Sequence, residues 1–356
     1  MKALAFEEHG GVDRVQLLDV PVPAIGPREV LLSVRAAALN RLDLWVLEGW
    51  PGLKLKRPHI MGADGAGVVA AVGEDVTRFF VGDRVAVNPT LCNDPADRFA
   101  RLGLDNMCDD FAIFGEHVDG LFAEYAAVPE RNLLPLPDSV PFETAAAASL
   151  VFVTAWHSLV TRGRLQPGES VLVVGAGGGV NPAAIQIARL VGARPIYVVG
   201  SSAAKLAQAR ALGADEVINR AEVDWGREMY RLTARQGVDV VVDNVGAATF
   251  AQSLRALRRG GRLLTVGNSS GPRFELDNRY LFAKHLTIIG STMGTSADYE
   301  KVMGLIFAGR LRPVIDTVYQ LRDATTALTR LRDGDVMGKL VLRIPPADAE
   351  ESSEAG

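Results

Sequence analysis

The sequence predicts an α/β protein that combines a doubly wound parallel sheet with a second, mainly β, barrel-like domain. Residues 1–132 contain short apolar runs separated by glycine and proline turn signals, as in a compact antiparallel barrel. From residue 133 to residue 305, strand and helix patterns alternate, which is typical of a parallel sheet covered by helices on both faces. Residues 306–346 return to strand character around one amphipathic helix. The last residues, 347–356, are small, polar and acidic, and we expect a disordered tail there.

Composition indicates an ordinary soluble enzyme. The chain has 356 residues, of which 48% are hydrophobic and 22% are charged. Its net charge of −4 offers no electrostatic reason to bind nucleic acid or an anionic membrane. No continuous apolar run reaches the roughly 18 residues of a membrane span, and no signal-peptide core follows Met1. With only two cysteines, Cys92 and Cys108, we expect a protein of the reducing cytoplasm.

The most informative segment is a glycine-rich turn between a predicted strand and a predicted helix. The strand is Val171–Val174, and Ala184, Ile185 and Ala188 recur at helical spacing after the turn. In this order, free N–H groups at the helix start face the pyrophosphate of a dinucleotide. The alternative is a flexible loop between two buried elements. The predicted cofactor-binding residues of the turn are Gly175, Ala176, Gly177, Gly178, Gly179 and Val180.

Asn181 departs from the dinucleotide-binding pattern because a third glycine is expected near the helix start. Its side chain can cap a helix that Pro182 opens at the first position. The same side chain narrows the room for a phosphate. If Asn181 blocks the pyrophosphate, the predicted function fails while the fold remains.

The second predicted strand of the parallel sheet indicates which nicotinamide cofactor binds. A carboxylate about 20 residues after the glycine turn would bond the ribose of NAD, and none is present. Ser201 and Ser202 can donate hydrogen bonds to a 2′-phosphate, and Lys205 can supply positive charge. We therefore expect NADPH. Alternatively, Lys205 is a solvated helix residue and NADH also binds.

Further cofactor contacts are expected at the ends of the later strands, where ligands of such sheets bind. Small residues at these ends let the backbone approach the adenosine and nicotinamide rings. Ordinary turn chemistry is the alternative explanation. The residues are Asn244, Val245, Val266, Gly267, Ser291 and Met293.

Short motifs in consistent order carry a resemblance to a known family. They include Asn40–Asp43, Gly62–Gly67, Val81–Val85 and Gly120–Tyr125. With the glycine turn, this layout resembles the medium-chain dehydrogenase/reductase superfamily, and within it the zinc-free quinone oxidoreductase branch. The resemblance implies a GroES-like catalytic domain, residues 1–132 and 306–346, around an inserted Rossmann domain, residues 133–305.

The resemblance also implies that no catalytic zinc is bound. The zinc branch has a cysteine where this chain has Asn40, Gly-His-Glu in place of Gly62-Ala63-Asp64, and a third ligand in place of Leu150. Because a catalytic zinc needs three protein ligands, Asp64 alone cannot hold one. The alternative of a zinc-type alcohol dehydrogenase is therefore disfavoured.

The lobe that holds a structural zinc in relatives is degenerate in this chain. Counting back from Cys108, the other three cysteine positions hold Ala100, Asp97 and Asp94, and Cys92 lies outside the spacing. We expect Cys92 and Cys108 to be free thiols on a surface or oligomer-contact lobe. The five histidines form no metal-binding pair, and only His117 is placed near the cleft by the resemblance.

The predicted reaction is hydride transfer from the nicotinamide to a quinone or an α,β-unsaturated carbonyl, with water completing protonation. Without zinc, neutral donors must hold the substrate oxygen. Asn40 is the candidate to orient substrate or nicotinamide. Asp43 and Asp64 are further candidates, although each can instead only cap the local helix and turn. The resemblance implies that Thr154 faces the nicotinamide and that Lys339 closes over the cofactor.

A reading from a different class remains open, namely a non-catalytic relative that keeps the fold for cofactor binding or structure. Asn181 in the glycine turn supports it. We expect a small-molecule substrate as the partner, and neither nucleic acid nor membrane. Family resemblance implies a homodimer, or a dimer of dimers, with edge strands of two Rossmann sheets paired.

Overall fold

The computed structural model describes residues 1–346, and the predicted tail, 347–356, lies outside them. Strands and helices are numbered in chain order. The strands are β1 (Lys2–Phe6), β2 (Gln16–Asp19), β3 (Glu29–Ala38), β4 (His59–Ile60), β5 (Asp64–Val72), β6 (Arg84–Val87), β7 (Thr90–Leu91), β8 (Ala112–Ile113), β9 (Tyr125–Pro129), β10 (Leu133–Pro135), β11 (Val171–Val174), β12 (Ile196–Gly200), β13 (Glu216–Asn219), β14 (Val238–Asp243), β15 (Leu257–Thr265), β16 (Thr287–Gly290), β17 (Ile315–Gln320) and β18 (Lys339–Arg343).

The helices alternate with strands through the middle of the chain, as predicted. They are α1 (Arg41–Glu48), α2 (Phe142–Trp156), α3 (Val180–Val191), α4 (Ala203–Ala211), α5 (Trp225–Leu232), α6 (Phe250–Ala256), α7 (Asn278–Lys284), α8 (Ser296–Phe307) and α9 (Ala324–Asp333).

One helical stretch among residues 1–346, Phe142–Arg162, is as long and apolar as a membrane span. It joins α2 to the π-helical turn His157–Arg162. Threonine, serine and histidine residues interrupt its apolar run, which is why no continuous run is evident in the sequence. Of its most apolar window, 83% is buried inside the protein, as in a core helix of a globular protein.

The chain divides into two compact units. Unit 1 contains Met1–Leu150 together with the segment from Thr295 onward, and unit 2 contains Val151–Gly294. The expected boundaries at 132/133 and 305/306 lie 18 residues and 11 residues away from these. The shift arises because β10 pairs with β6, and because α8 belongs to unit 1.

Unit 1 is built on a seven-stranded sheet in the order β10-β6-β5-β3-β18-β17, with β9 also paired to β3. The strand β18, from the end of the described chain, lies antiparallel to β3 and parallel to β17. Two smaller sheets, β2-β1-β4 and β7-β8, complete the unit. Its core is apolar and contains Leu32, Val34 and Val69 from the central strands together with Leu340 and Leu342 from β18. Unit 1 is therefore the mainly β domain that the sequence predicted.

Unit 2 is a six-stranded parallel sheet in the order β13-β12-β11-β14-β15-β16. The strand order reverses between β11 and β14, and this switch point is where doubly wound sheets bind ligands. The central strands β11, β12 and β14 are largely buried and rich in valine, with all four residues of β11 nearly inaccessible. The predicted fold class, a Rossmann-type sheet with a GroES-like domain, is confirmed.

The expectation of free thiols is wrong, because Cys92 and Cys108 form a disulfide. Their Cα atoms are 6.0 Å apart although 16 residues separate them in sequence. Side chains of the intervening loop bring its ends together. The Asp110 carboxylate accepts hydrogen bonds from the N–H groups of Asn93 and Asp94, and Asp97 accepts one from the N–H of Asp109.

Reduction of this disulfide should destabilise the protein. Closing a loop of about 15 residues contributes about 3 kcal/mol in the chain-entropy model, and strain lowers that value. We expect a reductant to lower the Tm of the wild type, and Cys92→Ser to have a lower Tm that no longer responds to reductant. Thermal unfolding with and without a phosphine reductant, with a thiol assay on the folded protein, measures both. A wild type with two titratable thiols before reduction would contradict the pairing.

Candidate functional site

The glycine turn of unit 2 has the geometry that an anion-binding turn requires. Gly175 and Gly178 have φ angles of +109° and +70°, in the left-handed region that favours glycine. Within residues 1–346, no main-chain acceptor takes a hydrogen bond from the N–H groups of residues 177–180. These donors lie at the start of α3, where the helix dipole also favours negative charge. The turn therefore fits a pyrophosphate.

Asn181 does not cap α3, which corrects the sequence expectation. The helix begins at Val180, one residue before Asn181, and Gly179 holds the capping position. The Asn181 side chain is buried and donates from Nδ2 to the carbonyl oxygen of Val174, 3.2 Å away. Its amide is therefore bonded to the end of β11, beneath the turn. A Cβ on Gly175 would lie 2.6 Å from that Nδ2, so the glycine leaves room for the amide.

Asn181 and Asn244 form a chain of amide hydrogen bonds across three strand ends. Asn244 donates from Nδ2 to Asn181 Oδ1 at 3.1 Å, and its own Oδ1 accepts from the N–H of Val266 at 3.2 Å. Together with the bond to Val174, this chain connects the carboxyl ends of β11, β14 and β15. The predicted residues Asn244 and Val266 are thus brought together with the glycine turn.

Asp243 is a positioning residue that sequence reasoning missed. It is fully buried, and its carboxylate accepts hydrogen bonds from the N–H groups of Val245 and Gly246 at 2.9 and 3.2 Å. The hydroxyls of Thr249 and Ser253 also donate to it, at 2.8 and 2.6 Å. The sequence feature that could have identified Asp243 is its position as a charged residue at the end of a valine-rich, buried strand. Asp243 fixes the loop that carries Asn244 and the half-buried Val245.

The predicted 2′-phosphate residues follow β12. Ser202 precedes α4 with no side-chain capping bond, and Ser201 is exposed. Lys205 lies against the glycine turn, since a Cβ on Gly177 would be 3.4 Å from Lys205 Nζ. Arg220 was missed; it follows β13, and its N–H donates to the carbonyl of Gly200 at 2.8 Å. A basic residue directly after the neighbouring strand was the signal for it.

Unit 2 also contains the remaining predicted residues, Thr154, Gly267, Ser291 and Met293. Thr154 and Met293 are both buried and in contact, with Oγ1 and Sδ 3.9 Å apart. Ser291 follows β16, and its hydroxyl oxygen is buried with no hydrogen-bond partner within residues 1–346. Gly267 lies beside Asn244, because a Cβ there would be 3.1 Å from the Asn244 carbonyl oxygen. The unpartnered hydroxyl of Ser291 is suited to a ligand hydrogen bond.

Asn40, Asp64 and Lys339 form a buried polar cluster in unit 1. Lys339 Nζ donates to Asn40 Oδ1 at 2.5 Å and to Asp64 Oδ2 at 3.0 Å. Asn40 Nδ2 donates to the same Asp64 oxygen at 2.8 Å, and the N–H of Leu150 donates to Asp64 Oδ1 at 2.7 Å. The side chains of Lys339 and Asp64 are 3% and 0% exposed, so this is a fully buried ion pair. The prediction that Lys339 closes over the cofactor is left untested by these contacts.

Asp43 caps α1 and is almost inaccessible. Its Oδ2 accepts a hydrogen bond from the N–H of Asn40 at 2.7 Å, which satisfies one of the free donors at the helix start. Burial raises the pKa of Asp43 to about 7, against the opposing effects of this hydrogen bond and of the positive charge on Lys339. The capping role anticipated for Asp43 as an alternative is therefore present.

Neither zinc position of the resembling family fits the residues that stand here. At the catalytic position, the side chains of Asn40 and Leu150 replace ligands, and Asp64 is already paired with an ammonium group. In the lobe, Cys92, Cys108 and Asp110 offer ligand atoms within 4.8 Å of one another. Both sulfur atoms are joined in the disulfide, so neither is a thiolate that would bind zinc.

The buried pair predicts a large stability loss when only one partner is removed. Lys339→Met leaves the Asp64 carboxylate uncompensated, and such changes cost about 3–5 kcal/mol. Lys56→Met is the matched control, because its ion pair with Asp119 is 79% exposed at the lysine and should contribute at most about 1 kcal/mol. Urea denaturation gives both free energies of unfolding. Equal losses in the two variants would contradict the importance of burial.

The amide chain predicts that Asn181 supports cofactor binding through the turn. Asn181→Ala leaves the Nδ2 of Asn244 and the carbonyl of Val174 unpaired, which costs about 1–3 kcal/mol of stability. We expect it to weaken nicotinamide dinucleotide binding about tenfold in a calorimetric titration, whereas the exposed control Asn278→Ala should have no effect. Tighter binding by Asn181→Ala would show instead that the side chain obstructs the phosphate.

Comparison with known proteins agrees with both units. The family model described as the alcohol dehydrogenase GroES-like domain matches residues 26–138. The model described as zinc-binding dehydrogenase matches residues 179–308. The first match lies within unit 1, and the second covers most of unit 2 and continues through α8 of unit 1.

Individual relatives cover almost the whole chain. Acryloyl-coenzyme A reductase of Metallosphaera sedula is 33% identical over 96% of this chain and 99% of its own length. Quinone oxidoreductase of Homo sapiens is 29% identical over 96% of this chain and 97% of its own length. The crystal structure of an NAD-dependent alcohol dehydrogenase superposes with a TM-score of 0.93 at 42% identity. The superposition covers 97% of this chain and 100% of that one. The chain belongs to the medium-chain dehydrogenase/reductase superfamily of oxidoreductases.

Proposed function

We propose that this protein is an NADPH-dependent oxidoreductase that reduces quinones or α,β-unsaturated carbonyl compounds without a metal. The observation that carries the proposal is the glycine turn of unit 2, with unused N–H groups beside Lys205. When bound there, the nicotinamide would supply a hydride. The named activities of the acryloyl-coenzyme A reductase and of the quinone oxidoreductase support the two acceptor classes.

The chain's own residues bind and orient the cofactor. The N–H groups of residues 177–180 would hold the pyrophosphate, while Asn181 and Asp243 keep the strand ends in position. Ser201, Ser202, Lys205 and Arg220 would surround a 2′-phosphate. The Ser291 hydroxyl, buried and unpartnered within residues 1–346, would bond the bound cofactor.

The polar cluster of unit 1 supports the metal-free part of the proposal. Its carboxylate and amide oxygens already accept hydrogen bonds from the Lys339 ammonium. Asn40 remains the candidate to orient substrate or nicotinamide, with Asp64 and Lys339 holding its amide in one orientation. Asp43 holds the start of α1, and with it Asn40, in place.

Activity and metal content test the proposal directly. We expect NADPH oxidation that depends on a quinone such as menadione or on a cyclic enone, and that chelation leaves unchanged. Stoichiometric zinc with loss of activity on chelation would instead favour the alcohol dehydrogenase class, to which a named structural neighbour belongs. Cofactor binding without turnover over a broad acceptor panel would favour a non-catalytic homologue.

If the cofactor is NADPH, the basic residues that follow β12 and β13 should contribute to its binding. A charge-assisted hydrogen bond to phosphate contributes about 1.5–3 kcal/mol, so Lys205→Ala and Arg220→Ala should each weaken NADPH binding about tenfold or more. Binding of NADH should stay within about twofold. Ser201→Asp should reverse the preference, because its carboxylate repels the 2′-phosphate. Calorimetric Kd values for both cofactors measure this, and equal losses for NADH and NADPH would contradict it.

We also propose that the protein is a homodimer. The strand β16 ends the parallel sheet, and its residues Thr287 and Ile288 are exposed, which leaves an edge that a second copy can extend. Light scattering should give a mass near twice the 38.1 kDa of the chain. Ile288→Pro, which removes an edge N–H, should yield monomers; a monomeric wild type would refute the pairing.

A further inference from the structure

Glu116 carries a carboxyl group that is largely buried and lacks donors. It lies on the loop between β8 and β9 of unit 1, and its side chain is 14% exposed. Within the described part of the chain, 1–346, the carboxylate accepts no hydrogen bond. The imidazole of His117 lies beside it, with Glu116 Oε1 and His117 Nε2 3.8 Å apart. A carboxylate in such surroundings is costly to ionise, so its neutral form is favoured.

His117 is held in one neutral tautomer beside it. The N–H of Ile113 donates to His117 Nδ1 at 3.2 Å, so that nitrogen carries the lone pair. The ring proton then lies on Nε2, the nitrogen that faces Glu116. His117 can therefore donate a hydrogen bond to the Glu116 carboxylate once that carboxylate has lost its proton.

The loop is fixed to the segment that leads to Asp64. Gly115 has a φ of +72° and no room for a Cβ, which would lie 2.5–2.7 Å from backbone atoms of Gly62. Further along, Leu121 donates from its N–H to the Gly62 carbonyl at 2.8 Å. Gly62 is two residues before Asp64, so Glu116 is anchored to the backbone that positions the polar cluster.

The pKa values agree with a proton donor beside a neutral imidazole. Burial raises the pKa of Glu116 to about 7. Burial also lowers the pKa of the neighbouring His117. At neutral pH a large share of the carboxyl group is therefore protonated, as a general acid requires.

We propose that Glu116 is the proton donor of the enone reaction and that His117 positions its carboxyl group; this inference rests on the proposed function. Hydride adds to the β-carbon, and the electron pair of the C=C bond moves to the carbonyl to form an enolate. The O–H bond of Glu116 then breaks, and its proton forms the new C–H bond at the α-carbon. The resulting carboxylate accepts a hydrogen bond from His117 Nε2 and recovers a proton from solvent.

Comparing two acceptors in the full-length enzyme with NADPH isolates this step. Reduction of 2-methyl-2-cyclohexen-1-one in D₂O requires protonation of a carbon atom, whereas reduction of menadione requires protonation of oxygen only. Glu116→Gln should slow enone reduction about 100-fold, within the range of general acid catalysis. Deuterium should also lose its stereochemical preference at the α-carbon. Menadione reduction, thermal stability and NADPH affinity should stay unchanged in Glu116→Gln. The exposed control Glu74→Gln should keep all of these properties and the wild-type rate of enone reduction.

Titration supplies a readout that needs no turnover. In the ligand-free protein, ¹³C NMR of labelled glutamate carboxyls should show one signal titrating near pH 7 that is absent from Glu116→Gln. Because the protonated carboxyl is the active form, wild-type enone reduction should fall as the pH rises through 7. The variant should lack that decrease.

The role of Glu116 and the proposed function are overturned by different results. Unchanged enone kinetics and stereochemistry in Glu116→Gln, with an active wild type, would overturn the inference alone. So would a Glu116 carboxyl that titrates near its ordinary value of 4.5. A wild type that reduces neither acceptor would overturn the proposed function and the inference with it.

Discussion

The ion pair between Lys339 and Asp64 is the interaction on which unit 1 depends. It joins the first residue of β18 to the first residue of β5, across 275 positions of sequence. Desolvation of each charge costs several kcal/mol, so either one is tolerated only beside the other. Asn40 also donates to Asp64 Oδ2, and the N–H of Leu150 donates to Asp64 Oδ1. These bonds bring the end of β3, the start of α1 and the helix α2 to the same carboxylate. The charged centre thereby links the starts of β5 and β18 to the segment that follows β3.

Unit 2 holds the carboxyl ends of its strands with hydrogen bonds from one carboxylate and two side-chain amides. Its central strands β11, β12 and β14 are mostly apolar, so their side chains offer few directional contacts. Asp243 and the amide chain from Asn181 to Asn244 supply directional contacts at those ends. Asn181, which occupies the place of an expected glycine, is therefore a connection between strands. Its burial beneath the turn explains how a bulkier residue coexists with a phosphate-binding geometry.

Much of the parallel sheet could be predicted, because its buried strands consist of continuous runs of β-branched residues. The strand Val171–Val174 was predicted with the same bounds that it has in the structure. The candidate site was less predictable wherever it depends on partners distant in sequence. The side chain of Asn181 satisfies one partner seven residues before it and another 63 residues after it, so its local pattern suggested only a cap. Similarly, cysteine spacing alone could not reveal that Asp110 and Asp97 fold the loop into pairing distance.

The position of β18 has a consequence for biosynthesis. Most of unit 1 is translated before unit 2, but β18, the strand between β3 and β17, is translated after unit 2. Until Lys339 leaves the ribosome, Asp64 has no ammonium partner, and β3 presents an open edge to other chains. Unit 2 depends on no such late segment, since its six strands lie in one continuous stretch. The nascent protein therefore completes its inserted sheet first, and its first domain stays unfinished until β18 has been translated.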